Sequence, residues 1–248
     1  LGPSRAGFPD VDHPGGSAYA FILDKGGTLD LGGQAFSIDS FTLTASGATN
    51  TFNNGTLTVG SVSVNNAFTG SASLFATSFT ATRSSIALAG GITVTGQLSL
   101  APLDNFSSIS LATQLTIASQ ATATLASTDH ARLAIPTDGS LDKQGSFTAG
   151  LGTLSLSSSS SIHAPTFLNS GTLIIDPGQN KSLAITAFKT FGSAVAPVFQ
   201  NPGSVEVRSG AFELHAPDNR NTQGTFAADA GATSRPDGAL TFSATSSI

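Results

Sequence analysis

The chain has no cysteine, methionine or tryptophan, and its one tyrosine is Tyr19. Without cysteine there is neither a disulfide framework nor a thiolate metal site. Without tryptophan, it lacks the rings that commonly line sugar-binding clefts, and its 17 phenylalanines fall at strand-like positions that read as core. Charge is scarce too: Asp, Glu, Lys and Arg make up 10% of residues, against about 25% in an ordinary globular domain. The ten basic residues are scattered singly and the net charge is −5, which excludes a phosphate-neutralising nucleic-acid surface. No apolar run approaches the ~20 residues of a membrane-spanning helix. Residues 1–17 contain Pro3, Pro9 and Pro14 and no apolar run, so they read as a Pro/Gly-rich arm or linker, not a signal peptide or anchor. The opening at Leu1 instead of Met leads us to expect a processed or partial chain.

What remains is hydroxyl, glycine and regularly spaced apolar residues. Ser and Thr fill roughly a quarter of the 248 residues, and there are 27 glycines. The polar surface must therefore be built from hydroxyls more than from ions. A hydrophobic content of 39% with regular spacing argues against disorder. One stamp recurs: Gly27-Thr28-Leu29-Asp30-Leu31, Gly55-Thr56-Leu57-Thr58-Val59, Gly171-Thr172-Leu173-Ile174-Ile175 and Gly203-Ser204-Val205-Glu206-Val207. Each is a turn feeding a short strand with one buried face.

Apolar pairs two residues apart appear throughout, among them Phe41/Leu43, Leu57/Val59, Ile86/Leu88, Ile92/Val94, Leu98/Leu100 and Leu115/Ile117. Period two, with no sustained helical period, makes the chain all-β. Pairs that start at Leu57 and Val62, or at Ile86, Ile92 and Leu98, leave little room for repeated hairpin reversals. They fit a coil that bends between faces and stacks each strand on its counterpart one rung away. The expected fold is a parallel β-helix of about ten irregular rungs over residues 18–248, at ~20–25 residues per rung. A β-sandwich is the alternative, though Asn-Gly and Asp-Gly turn signals are sparse: Asn54-Gly55, Asp138-Gly139 and Asp237-Gly238. Residues 127–145 hold the densest charge and read as a loop excursion between rungs.

Phe167-Leu168-Asn169-Ser170-Gly171-Thr172 aligns with Phe199-Gln200-Asn201-Pro202-Gly203-Ser204, and Phe52-Asn53-Asn54-Gly55-Thr56 is a shorter version. In a stacked coil such asparagines can form side-chain ladders and such phenylalanines can stack. The string Gly27-Thr28-Leu29-Asp30-Leu31-Gly32-Gly33-Gln34, continued by Phe36-Ser37-Ile38-Asp39-Ser40-Phe41, resembles the autotransporter-associated β-strand repeat of bacterial passenger and adhesin proteins. The later Phe-x-Asn-x-Gly-Ser/Thr pattern, followed by Val207-Arg208-Ser209-Gly210-Ala211-Phe212-Glu213-Leu214, is similar to filamentous haemagglutinin-like repeats. The resemblance covers about half the chain. It implies a right-handed parallel β-helix displayed at a cell surface, although neither a signal segment nor a C-terminal membrane barrel is visible in this sequence.

Asp129, His130, Arg132, Asp138, Asp142 and Lys143 are the candidate binding residues, the one place where clustered charge could meet a ligand. A polysaccharide lyase or glycosidase would need paired carboxylates there, and a solvated loop explains the same charges. Oxygen-rich Asp10-Val11-Asp12 and Asp176-Pro177-Gly178-Gln179-Asn180 match no calcium loop, and Asx turns account for them equally well. His13, His130, His163 and His215 are isolated in sequence. Thr42-Leu43-Thr44, Thr80-Ala81-Thr82, Thr93-Val94-Thr95 and Thr122-Ala123-Thr124 could form a hydroxyl array suited to ice if stacked in register. Solvated strand positions explain them as well.

The expectation is a non-enzymatic, extracellular or cell-surface structural or adhesive solenoid. It would have no cofactor and no metal, would bind a host-surface or matrix glycan or protein, and could self-associate through its ends.

Overall fold

The computed structural model describes residues 20–44, 48–101, 108–125, 132–136, 139–150, 152–158, 164–189, 196–215, 218–221, 224–237 and 240–242. Among them there is no helix, and 24 strands form one continuous sheet. Every pairing is parallel, from Ala20–Asp24 beside Thr28–Thr44 to Asp218–Asn221 beside Leu240–Phe242. An antiparallel sandwich is excluded. The protein is a parallel β-solenoid.

Each turn of the coil uses three strands. Thr122–Leu125, for example, pairs back to Ile92–Leu100 and on to Ser146–Ala149, three strands later. We number the faces in chain order within a rung. In the rung of Thr28–Thr44, the first face begins at Thr28, the second at Gln34 and the third at Ser40, all within one strand that rounds two corners. Ten successive positions stack down the third face: Ala20, Ser40, Ser61, Ser78, Gln97, Thr122, Ser146, Thr172, Ser204 and Thr225. Rung length varies widely. Ser78 follows Ser61 by 17 residues, whereas Ser204 follows Thr172 by 32. The ladder holds register while the corners absorb the difference.

The core lies inside the coil because alternate residues of every face point inward. Leu29/Leu31, Phe41/Leu43, Val62/Val64, Ile86/Leu88, Leu98/Leu100 and Ile109/Leu111 are all buried, as their period-two spacing predicts. Each such side chain is worth roughly 1.5–3 kcal/mol on burial, which offsets ordering a glycine-rich backbone. Aromatic rings stack along the axis at the start of the coil. Phe41 lies 5.9 Å from both Phe21 and Phe52, and Phe52 stacks on Phe68 at 5.9 Å with 17° between planes.

Glycine in the stamp has a specific cause at the corner before the third face. Gly145, Gly171 and Gly203 occupy that corner on successive rungs and bond in turn to the Ile117, Lys143 and Asn169 carbonyls. A Cβ on Gly203 would lie 2.2 Å from the Gly171 oxygen, and one on Gly171 2.2 Å from the Gly145 oxygen. The rungs approach there too closely for a side chain. The stamp is not tied to one place in the rung: Gly27 leads into the first face, Gly55 into the second, and Gly171 and Gly203 into the third.

Residues 1–17, the expected arm, lie outside the described residues. The excursion expected over 127–145 does not hold for Arg132–Ile135 and Ser140–Lys143. Both are strands in register with rungs on either side. Leu133/Ile135 and Leu141/Lys143 fill the inward positions, so charge in the sequence concealed an intact strand pattern.

Candidate functional site

The three described candidates, Arg132, Asp142 and Lys143, are not brought together on one surface. Arg132 opens a first-face strand, is exposed, and donates from Nε to the Ser155 hydroxyl at 3.3 Å. Asp142 and Lys143 are consecutive on a second-face strand and therefore point to opposite sides of it. Asp142 faces outward and accepts from Gln144 Nε2 at 3.0 Å. Lys143 faces inward, is fully buried, and donates from Nζ to the Gly145 carbonyl at 2.9 Å. Burial lowers its pKa to about 7, because the charged form loses its water. Lys143 is thus no surface ligand. Asp129, His130 and Asp138 lie outside the described residues.

Among the described residues, no group of three or more His, Cys, Asp or Glu could hold a metal. Asp176 accepts from the Ser209 hydroxyl, which in turn accepts from the Gly178 amide at 2.8 Å, and Asn180 has φ 59°. These are turn-closing contacts. Asp10-Val11-Asp12, His13 and His163 lie outside the described residues. His215 sits 3.5 Å from Glu213 at the surface.

The most regular surface is the third face. Two outward columns run down it, Ser40, Ser61, Ser78, Gln97, Thr122 and Ser146 beside Thr42, Ser63, Thr80, Ser99, Thr124 and Thr148. Eleven of these twelve residues are Ser or Thr, none is charged, and all are exposed or half-exposed. Between them Phe41, Val62, Phe79, Leu98, Ala123 and Phe147 point into the core and fix the register. Rungs stand ~4.8 Å apart and the two columns ~6.6 Å apart, giving a two-dimensional hydroxyl array. The pattern ends after Thr148, where Ile174 and then Glu206 take the next places in its column.

No protein-family model, curated protein or solved structure matches this chain. Function therefore rests on the coil and its faces.

Sequence reasoning found this face only in part. Thr42, Thr80, Thr122 and Thr124 belong to it. Thr44 sits beside Asp24 at a strand end, Thr82 turns to Asn65 at 3.1 Å, and Thr93 lies on the second face beside Thr116. The partner of each threonine in the second column is the hydroxyl residue two places upstream, such as Ser40 before Thr42 or Ser78 before Thr80. Serine is so common here that only register exposes the array. Among the described residues no helix is long and apolar enough to cross a membrane.

Proposed function

We propose that this chain is a non-enzymatic structural or adhesive β-solenoid displayed outside a bacterial cell, of the autotransporter-passenger or filamentous-haemagglutinin kind. Its third face is the contact surface. The observation that carries this reading is the alignment of eleven Ser/Thr side chains with Gln97 across six rungs. A single neutral hydrogen bond nets only about 0.5–1.5 kcal/mol, so this surface suits an extended ligand that engages many hydroxyls at once. A matrix glycan or an extended protein segment fits that requirement. A parallel ladder can also accept further rungs at an open edge, from the same protein or a second copy, which is the route to a filament.

The test is adhesion of the purified chain to immobilised matrix glycans and proteins, beside a Ser63→Lys/Thr80→Lys/Thr124→Lys variant. The three positions point outward, so the variant keeps its fold. Retention by the parent chain and loss in the variant support the reading. Equal retention of both removes the third face as the contact surface.

The same register favours a second reading, an ice-binding face, because two hydroxyl columns at fixed spacing offer a lattice to ordered water. Freezing-point hysteresis that disappears in the triple-lysine variant supports it, and absence of hysteresis in the parent chain removes it.

A further inference from the structure

On the second face the inward column changes character part-way along the coil. Val94 and Ile117 are followed in register by Lys143 and Asn169, and then by Asn201. All three polar residues are fully buried. Beyond Lys143 the column is hydrogen-bonded along the axis. Asn169 Nδ2 donates to Asn201 Oδ1 at 2.6 Å and to the Ser204 carbonyl at 2.8 Å, and Asn201 Nδ2 donates to the Thr225 carbonyl at 3.3 Å. Asn169 commits its amide nitrogen to the later rung, and its Oδ1 is buried without a partner. The register neighbour of Asn169 in the preceding rung is Lys143.

Among the described residues, no counter-charge on the neighbouring strands faces the amine. Gln114–Ile117, Ser146–Ala149, Gly152–Ser158, Thr166–Asn169 and Thr172–Ile175 carry no titratable side chain. Arg132 is exposed and bonded to Ser155, and Asp142 lies on the outer side of the lysine's own strand, bonded to Gln144. A buried ammonium with a backbone carbonyl and no carboxylate is costly, and a neutral amine in the same place is not.

We propose that Lys143 is a proton-operated latch at the joint between the apolar and the asparagine-lined parts of the coil. As a neutral amine it closes the polar column beside Asn169. As an ammonium it favours opening of the rungs that bury it.

The sign follows from the two states. In an opened segment the lysine has its ordinary pKa of 10.5, while in the closed coil desolvation holds it near 7. Protonation therefore favours the open form, with the full penalty present below the closed-state value. The closed form gains about tenfold per pH unit as pH rises from there toward the open-state value, and gains no more above it.

Hydrogen exchange on the full chain tests this at pH 7 and pH 9, with rates corrected for intrinsic chemistry and conditions where exchange reports the opening equilibrium. Amides of Ser140–Lys143 and Thr166–Asn169 should gain about fiftyfold in protection in the parent chain. They should gain none in Lys143→Met, which fills the site with an apolar side chain. Equal pH dependence in both proteins, or none in the parent, overturns the latch. A second readout needs no variant: the lysine side-chain resonances of the folded parent should show one group titrating near neutrality. Titration of every lysine in the ordinary range overturns the proposal. So does an intact mass short by one ammonia, which would place the amine in an amide with Asn169.

Discussion

Asn169 donates its side-chain amide to the side-chain carbonyl of Asn201 one rung later, at 2.6 Å, with both residues fully buried. The pair ties two rungs separated by 32 residues of sequence, the longest spacing in the third-face register. Replacing Asn201 with Ala removes one acceptor and its own bond to the Thr225 carbonyl. We expect a loss of about 1–3 kcal/mol, from groups left buried without partners. The Asn169→Ala/Asn201→Ala double variant should lose less than the sum of the singles, by 0.5 kcal/mol or more on the order expected for contacting residues, measured by urea unfolding.

Stability should follow pH with a slope set by Lys143. Its folded pKa is depressed from 10.5 to about 7, so the unfolded chain binds the extra proton between those values and folding strengthens as pH rises through that window. The urea midpoint of the parent chain should climb from pH 7 to pH 9. The Lys143→Met variant should start higher at pH 7, by on the order of 2 kcal/mol, and have a flatter profile. A steeper profile in the variant would contradict this account.

Two glycine substitutions should separate crowding from backbone strain. Gly171→Ala places a methyl 2.2 Å from the Gln144 and Gly145 carbonyl oxygens, so successive rungs must move apart. The expected cost is at the upper end of about 1–3 kcal/mol, and it should appear in thermal unfolding. Gly32→Ala meets nothing within 4 Å, but Gly32 has φ 61°, which costs an L-residue about 1 kcal/mol. A Gly171→Ala variant as stable as the parent would show that the corner can widen freely.

The ring stack predicts a position-dependent core. Phe68 is fully buried and stacks on Phe52 at 5.9 Å, with Phe41 edge-on at 6.2 Å. Phe68→Ala should cost about 3–5 kcal/mol, and Phe68→Leu much less, because leucine refills most of the space. Phe75 is 42% exposed on the outer side of the second face. Phe75→Ala should change stability within about 0.5 kcal/mol, as surface positions do. Denaturant titration of the three variants checks the order.

Much of the fold was legible because period two and short spacing are both properties of a line of residues. Leu57, Val59, Val62 and Val64 spell two adjoining faces with no room for a reversal, and all four are buried. The echo of Phe167 to Asn169 in Phe199 to Asn201 correctly placed a ring pair, at 5.5 Å, and an asparagine ladder. Its third copy was misleading, since Phe52 belongs to the first face and Asn54 lies exposed at a corner, bonded to Asp30. The face on which a pair lands depends on accumulated corner lengths, which composition does not encode. For the same reason the third-face array emerged only from register. Lys143 reads as loop because it lies in the densest charge of the chain, while its parity with the buried Leu141 carries the decisive signal.

The hydrogen bonds of this coil run along its axis, which fixes how it bears load. Tension applied end to end pulls every rung in series, whereas the three faces within a rung share the force in parallel. The rod is therefore as strong as its weakest rung, and adding rungs extends reach without adding strength. The joint at Lys143, where a buried amine separates the apolar packing from the asparagine ladder, is where we expect such a rod to part first. A pulled molecule would yield there at lower force in mildly acidic solution than in alkaline.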